Sequence, residues 1–166
     1  MMFGRRKRTL ENKSERISIL APMCGERIPI TEVDDPTFSE EMLGRGVAIR
    51  PAEGRVVSPV QGTVTQLFET GHAVTLTSDD GAEILIHVGL DTIRLKGAHY
   101  TPRIREGDAV KPGDLLLEFD LISIATAGFD IVTPIVICNS DDFDNFSFPA
   151  GKAVRQGDEI ISFTKK

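Results

Sequence analysis

Short apolar stretches rich in Val, Ile, Leu and Thr recur along this chain, each cut off by Gly, Pro, Asp or Ser. β-branched residues suit a pleated, half-buried surface, and the residues between them supply the backbone conformations that reverse a chain. The pattern predicts strands over 17–21, 27–30, 47–50, 55–58, 62–68, 73–77, 83–88, 115–119, 133–137 and 159–164. Helical periodicity is scarce, and only 38–43 and 121–127 supply a turn or two. The class is all-β with very short helices.

Two echoes inside the chain add to this. AVKPGDLLLEF (109–119) aligns with AVRQGDEIISF (153–163), and APMCG (21–25) aligns with SPVQG (58–62). Gly113-Asp114 and Gly157-Asp158 fit tight turns feeding a buried apolar strand. Repeated strand–turn–strand units favour an internally duplicated, closed or sandwiched architecture over an open sheet.

Composition narrows the class further. A chain of 166 residues, 40% hydrophobic and 27% charged, matches one ordinary globular domain with a real core. No apolar run approaches the length of a spanning helix, and the basic start MMFGRRKRTL has no apolar region after it, which reads against a secretory signal. The expected location is the cytoplasm. Charge is uneven: residues 1–16 carry six Lys/Arg against Glu11 and Glu15, while the remainder is strongly acidic. Residues 1–16 read as a basic, flexible leader able to touch anionic lipid, and 17–166 as a single domain. An acidic body argues against nucleic acid and suits partners with basic faces. Cys24 and Cys138, flanked by apolar residues and lacking zinc-type spacing, read as buried reduced thiols.

The chemistry lies in two of the three histidines. Segments 73–77 and 83–88 form a hairpin through Ser78-Asp79-Asp80-Gly81. A turn centred on Asp79-Asp80 sets residues summing to 159 opposite each other, which pairs His72 with His87; centring it on Asp80-Gly81 gives 161 and keeps both on one face. A one-residue bulge would separate them. Opposed residues hold Cβ atoms about 5 Å apart, so both imidazoles could reach one phosphate-sized group. A neutral imidazole offers a nucleophilic nitrogen at cytoplasmic pH, and its N–P bond is labile enough to pass the group on. Positioning and charge stabilisation dominate such transfers, with Thr70 and the Gly89 turn as candidate donors. The ordinary alternative is structural histidines at strand ends. His99, in GAHYTPR, reads as a loop residue.

The segment 81–93, GAEILIHVGLDTI, resembles the signature of the glucose-class enzyme IIA family of the bacterial sugar phosphotransferase system: Gly, two free positions, three apolar residues, His, apolar, Gly, apolar, any, Thr, apolar. FETGHA (68–73) resembles the family's second-histidine segment, and the likeness continues through FSEEMLGRGVAIRP, VVSPVQGTV and REGDAVKPGDLLLEFD. The resemblance implies a compact antiparallel β-sandwich or barrel-sandwich with a shallow apolar depression, and a phosphocarrier that accepts phosphate from HPr and donates it to a cysteine of a IIB domain. It implies that His87 is phosphorylated on Nε2, that His72 supports it and Thr70 tunes His72, and that the Gly89 carbonyl fixes the His87 tautomer. Phe38, Leu43, Phe68 and Leu85 would form the apolar rim, and Asp35 and Asp91 would meet partner arginines. No cofactor is required; zinc between His72 and His87, completed by a partner's carboxylate, is a further implication, as are regulatory target proteins. With no permease sequence following, a free-standing IIA protein is expected.

Two departures stand out. Arg45 occupies a position where the family usually has an acid, and Gly71 one where a larger polar residue is usual. Both are expected near the docking face. Other classes fit less well. A zinc peptidase needs a His-x-His pair, which is missing. A biotin- or lipoate-type carrier needs a modifiable Lys in a setting that Lys96 and Lys111 lack. A purely regulatory module using the same face is compatible with phosphotransfer. Sugar specificity is not encoded here.

Overall fold

In the computed structural model, which describes residues 16–166, the alternating segments fold as fourteen strands and two short α-helices. They run β1 (Arg16–Leu20), β2 (Gly25–Pro29), α1 (Pro36–Ser39), β3 (Arg45–Pro51), β4 (Arg55–Val57), β5 (Gly62–Leu67), β6 (Ala73–Ser78) and β7 (Glu83–His87). The second half continues β8 (Tyr100–Pro102), β9 (Ala109–Val110), β10 (Leu115–Phe119), α2 (Leu121–Thr126), β11 (Thr133–Ile137), β12 (Phe143–Ser147), β13 (Ala153–Val154) and β14 (Glu159–Lys165). The expected leader lies outside the described residues except for Arg16, which opens β1 and donates from Nε and Nη2 to Ser162 Oγ.

All ten predicted strands form with small shifts of boundary. β8, β9, β12 and β13 were not foreseen: β9 and β13 are two residues long, and β12 (FDNFS) is rich in Asp and Asn. The first helix starts before its predicted span because Asp35 caps it, its Oδ1 accepting from Thr37 N at 3.0 Å, with Pro36 in the first turn. Among the described residues no helix is long and apolar enough to cross a membrane.

Eight strands form one antiparallel sheet in the order β13-β2-β3-β11-β7-β6-β5-β9, and β1-β14-β12 and β4-β10-β8 form two smaller ones. The main core lies between them. Val47, Ile49, Val74, Leu76, Ile84, Ile86, Ile135 and Ile137 of the large sheet meet Ile17, Ile161, Phe163, Val56 and Leu117 of the small ones. On the outer face of the large sheet, Ala48, Ala73, Leu85 and Val136 carry a second apolar cluster, covered by Ile30, Val33, Phe38, Leu90 and Val132. This second cluster underlies the site described below.

The duplication recurs in the hydrogen bonds. Gly25 pairs with Pro51 and Val154, and its counterpart Gly62 pairs with Ser78 and Val110. Leu20 N–H donates to Pro59 O and Val57 N–H donates to Pro22 O, a reciprocal pair across a pseudo-two-fold axis. The Gly-Asp turns also match: Lys111 N–H donates to Asp114 Oδ2 and Arg155 N–H to Asp158 Oδ2. A third copy, at Arg105–Asp108, makes the same bond. A Cβ on Gly25 or Gly62 would stand 2.1 Å from a backbone oxygen of the neighbouring strand. Gly25→Ala and Gly62→Ala should therefore each cost about 3–4 kcal/mol in urea unfolding. At Gly107 the space is open and only the left-handed backbone (φ +91°) penalises Ala, so about 1 kcal/mol is expected there.

Candidate phosphotransfer site

The hairpin that carries the two histidines has a register between the two predicted. Ala73 pairs with His87 and Thr77 with Glu83, so opposed numbers sum to neither expected value. The cause is a three-residue loop: Ser78 N–H bonds to Ala82 O, and Gly81 takes the left-handed conformation (φ +91°) of the extra residue. Strand alternation from Ala73 then assigns His72 to the face opposite His87. The rings nevertheless lie 4.9 Å apart, edge to face. His72 precedes the first paired residue of β6, after the left-handed Gly71 (φ +72°), and His87 ends β7. They meet round the end of the sheet rather than on one face of it.

Each ring has one nitrogen engaged. His87 Nδ1 lies 2.7 Å from the Gly89 carbonyl, which makes it the protonated nitrogen. His72 Nδ1 is bonded to the Thr70 hydroxyl. Among the described residues neither Nε2 has a hydrogen-bond partner. Thr70 and Gly89 thus contact the histidines they were expected to serve, but the anticipated N–H donor from the Gly89 turn is not free. Gly89 N–H bonds to Val132 O and Leu90 N–H to Asp130 O.

Around the pair the surface is apolar. Phe38 packs on His87 (5.3 Å between centroids) and Phe68 on His72 (5.5 Å). Phe38 and Leu85, expected in the rim, are 4% and 7% exposed and form the floor instead, because both belong to the outer apolar cluster. Phe68 is half-buried, and Leu43 is exposed, as are Met42 and Ile93, which the sequence reading passed over. Asp35 is half-exposed with one carboxylate oxygen used as the α1 cap. Asp91 is exposed and paired with its own neighbour Arg94 at 3.1 Å.

Arg45 is not on this face. Its guanidinium stacks over Phe146 at 4.5 Å and near Phe148, on the side of β3 opposite Ala48. The pseudo-two-fold axis explains its place: Gly44 N–H bonds to Glu41 O as Gly71 N–H bonds to Phe68 O, so Gly44-Arg45 is the counterpart of Gly71-His72. Gly71 does lie beside the site, packed against Pro102 and Tyr100. Cys24 is half-buried and Cys138 exposed, so neither fits the expected buried thiol. His99 is an exposed loop residue with a left-handed backbone (φ +76°).

Burial lowers the His72 pKa to about 4, with repulsion from His87 as the second cause. Burial also lowers that of His87, against the opposing pull of the Gly89 carbonyl and Asp35. Both rings are neutral near pH 7. An unfolded chain takes up the His72 proton near pH 6.5, the folded one only near 4. The unfolded state therefore binds more protons between those values. His72 contributes no penalty above pH 6.5, and stability falls as the pH drops toward 4 by roughly 3 kcal/mol from this residue. Urea midpoints at pH 7, 5 and 4 should show that fall, and His72→Gln should lessen it.

Comparison with known proteins agrees with this geometry. Residues 17–143 match the family described as phosphoenolpyruvate-dependent sugar phosphotransferase system, EIIA 1. The chain is 52% identical over 126 residues to the PTS system beta-glucoside-specific EIIBCA component of Dickeya chrysanthemi, covering 76% of this chain and 20% of that protein. It thus spans about a fifth of that relative's length. Over 141 residues it is 44% identical to the PTS system glucose-specific EIIA component of Oceanobacillus iheyensis, covering 85% of this chain and 86% of that protein. Among solved structures, glucose permease IIA from Mycoplasma capricolum superposes with a TM-score of 0.83 at 35% identity, covering 89% of this chain and 95% of the other. With its duplicated β-sandwich and paired histidines, the chain belongs to the EIIA 1 family of the phosphoenolpyruvate-dependent sugar phosphotransferase system.

Proposed function

We propose that this protein is a cytoplasmic phosphocarrier that accepts a phosphoryl group on Nε2 of His87 from phosphorylated HPr and passes it to a cysteine of a IIB domain during sugar uptake. The observation that carries the reading is the pair of neutral imidazoles, 4.9 Å apart and packed against Phe38 and Phe68, each with Nδ1 engaged and Nε2 free. Relatives named EIIBCA carry B and A in one component name, which supports a IIB acceptor.

The Nε2 lone pair of His87 attacks phosphorus as the donor's N–P bond breaks, and the departing nitrogen keeps that bonding pair. Because His87 retains its proton on Nδ1, the phosphorylated ring carries positive charge, which the Gly89 carbonyl and Asp35 offset. With the Thr70 hydroxyl donating to Nδ1, His72 bears its proton on Nε2 and donates to a phosphoryl oxygen. In the second transfer the IIB thiolate attacks phosphorus and the N–P pair returns to Nε2. Exposed Met42, Leu43 and Ile93, with half-buried Phe68, form the apolar docking surface, and Asp35 and Asp91 face partner arginines.

Neither transfer needs a cofactor. Two Nε2 atoms suit two of zinc's four positions once the His72 proton has left Nε2, but the described residues contain no cluster of three or more His, Cys, Asp or Glu that could hold a metal, so a partner would complete such a site. Phosphorylation places a dianionic phosphoryl group on a ring that becomes cationic, a net gain of about one negative charge, and should weaken docking on acidic regulatory targets. Incubation with labelled phosphoenolpyruvate, the general phosphotransferase enzyme and HPr should yield an acid-labile, base-stable label on His87. Folded protein that stays unlabelled under these conditions would overturn the proposal.

A further inference from the structure

The peptide that joins Val88 to Gly89 is held at both ends. Its carbonyl accepts two hydroxyls, Tyr100 Oη at 2.8 Å and Thr92 Oγ1 at 2.8 Å, and its N–H donates to Val132 O at 3.1 Å. The next peptide is anchored by Leu90 N–H on Asp130 O, and its carbonyl is the Gly89 oxygen that receives the His87 Nδ1 proton. A carbonyl has two lone pairs, so the two hydroxyls fill the acceptor capacity of Val88. Apart from the His87 ring itself, the remaining restraints in this set run from backbone to backbone, and Thr92 and Tyr100 act on it through side-chain hydroxyls.

Tyr100 does more than this. Its ring edge faces His72 at 6.4 Å between centroids, and its Cβ, with Pro102, packs against the left-handed Gly71. The same residue thus backs the supporting ring, the turn before it and the peptide that follows the acceptor. Packing alone accounts for the ring, which also meets Phe119 in the main core, and Phe would fill that role. The hydroxyl is what packing does not require, since a buried O–H needs an acceptor that a phenyl ring does not.

We propose that Tyr100 and Thr92 are positioning residues: their hydroxyls fix the Val88–Gly89 peptide so that the Gly89 carbonyl keeps the His87 proton on Nδ1 and leaves Nε2 free. The consequence for transfer rests on the function proposed above, but the tautomer does not. Nitrogen-15 spectra of the His87 ring read it directly. Wild-type protein should show the Nδ1–H tautomer almost alone. The Tyr100→Phe/Thr92→Val pair should show both tautomers and accept phosphate from phosphorylated HPr about tenfold more slowly, the worth of one hydrogen bond. Tyr100→Phe/Thr92→Ser, which restores one hydroxyl, should recover most of both.

If the double variant does not fold, Tyr100→Phe and Thr92→Val are read singly, each with a smaller shift expected. A folded variant with the wild-type spectrum overturns the proposal, as does wild-type His87 protonated on Nε2. A tautomer shift in a protein that never accepts phosphate supports the positioning role and overturns the phosphocarrier reading instead.

Discussion

His87→Ala should leave no acid-labile label after incubation with phosphoenolpyruvate, the general enzyme and HPr, while His72→Gln should still be labelled but pass the group to a IIB cysteine poorly. The asymmetry follows from the environments of the two rings. His87 is half-buried and its Nδ1 proton is tied to Gly89, which leaves Nε2 as the nucleophile. His72 is 2% exposed, held by Thr70 and backed by Phe68 and Tyr100, a setting for a fixed donor rather than an attacking group. Losing the nucleophile removes the covalent intermediate altogether. Losing the donor removes stabilisation of a charged transition state, where one hydrogen bond is worth about 10²–10³ in rate. Equal behaviour of the two variants, in either transfer, would contradict this division of roles.

Gly89→Ala should damage both stability and transfer. The residue sits at φ +89°, and a Cβ there would stand 2.5 Å from Thr92 Cγ2 and 3.0 Å from the Asp130 carbonyl. The backbone conformation costs about 1–3 kcal/mol for a non-glycine residue, and the clash adds to it. Relief would come from moving either Thr92, which holds Val88, or the Gly89 carbonyl itself. Denaturant unfolding should show a loss of about 3 kcal/mol or more, and the folded fraction should take up phosphate at least tenfold more slowly. Uptake at the wild-type rate would mean that the Gly89 carbonyl does not set the tautomer.

Several parts of the molecule are legible in the sequence alone. The ten longer strands carry β-branched runs between turn residues, and that local chemistry suffices to locate them. The echo of 109–119 in 153–163 was readable because the Gly-Asp turns require those residue types, whatever surrounds them. β12 was not, since an edge strand of FDNFS is stabilised by pairing with β14 and not by its own propensity.

At the site the division is sharper. That His72 and His87 belong together, with Thr70 and Gly89 beside them, came from the motif; the hairpin argument, which put both on one strand face, failed on register. The manner of their meeting did not. Alternation is a property of a continued strand, and a single extra loop residue at Gly81 reverses the assignment of faces. Only the three-dimensional chain end, where Gly71 turns and β6 has not yet begun, lets the rings reach each other. Burial of Phe38 and Leu85, the turning of Arg45 onto Phe146 and the grip of Tyr100 on Val88 likewise join residues remote in sequence. Sequence by itself determined which side chains and turns this chain possesses, because these are local properties. Which of them touch was decided by the packing of three sheets, because contact depends on register and long-range closure, which no local run of residues encodes.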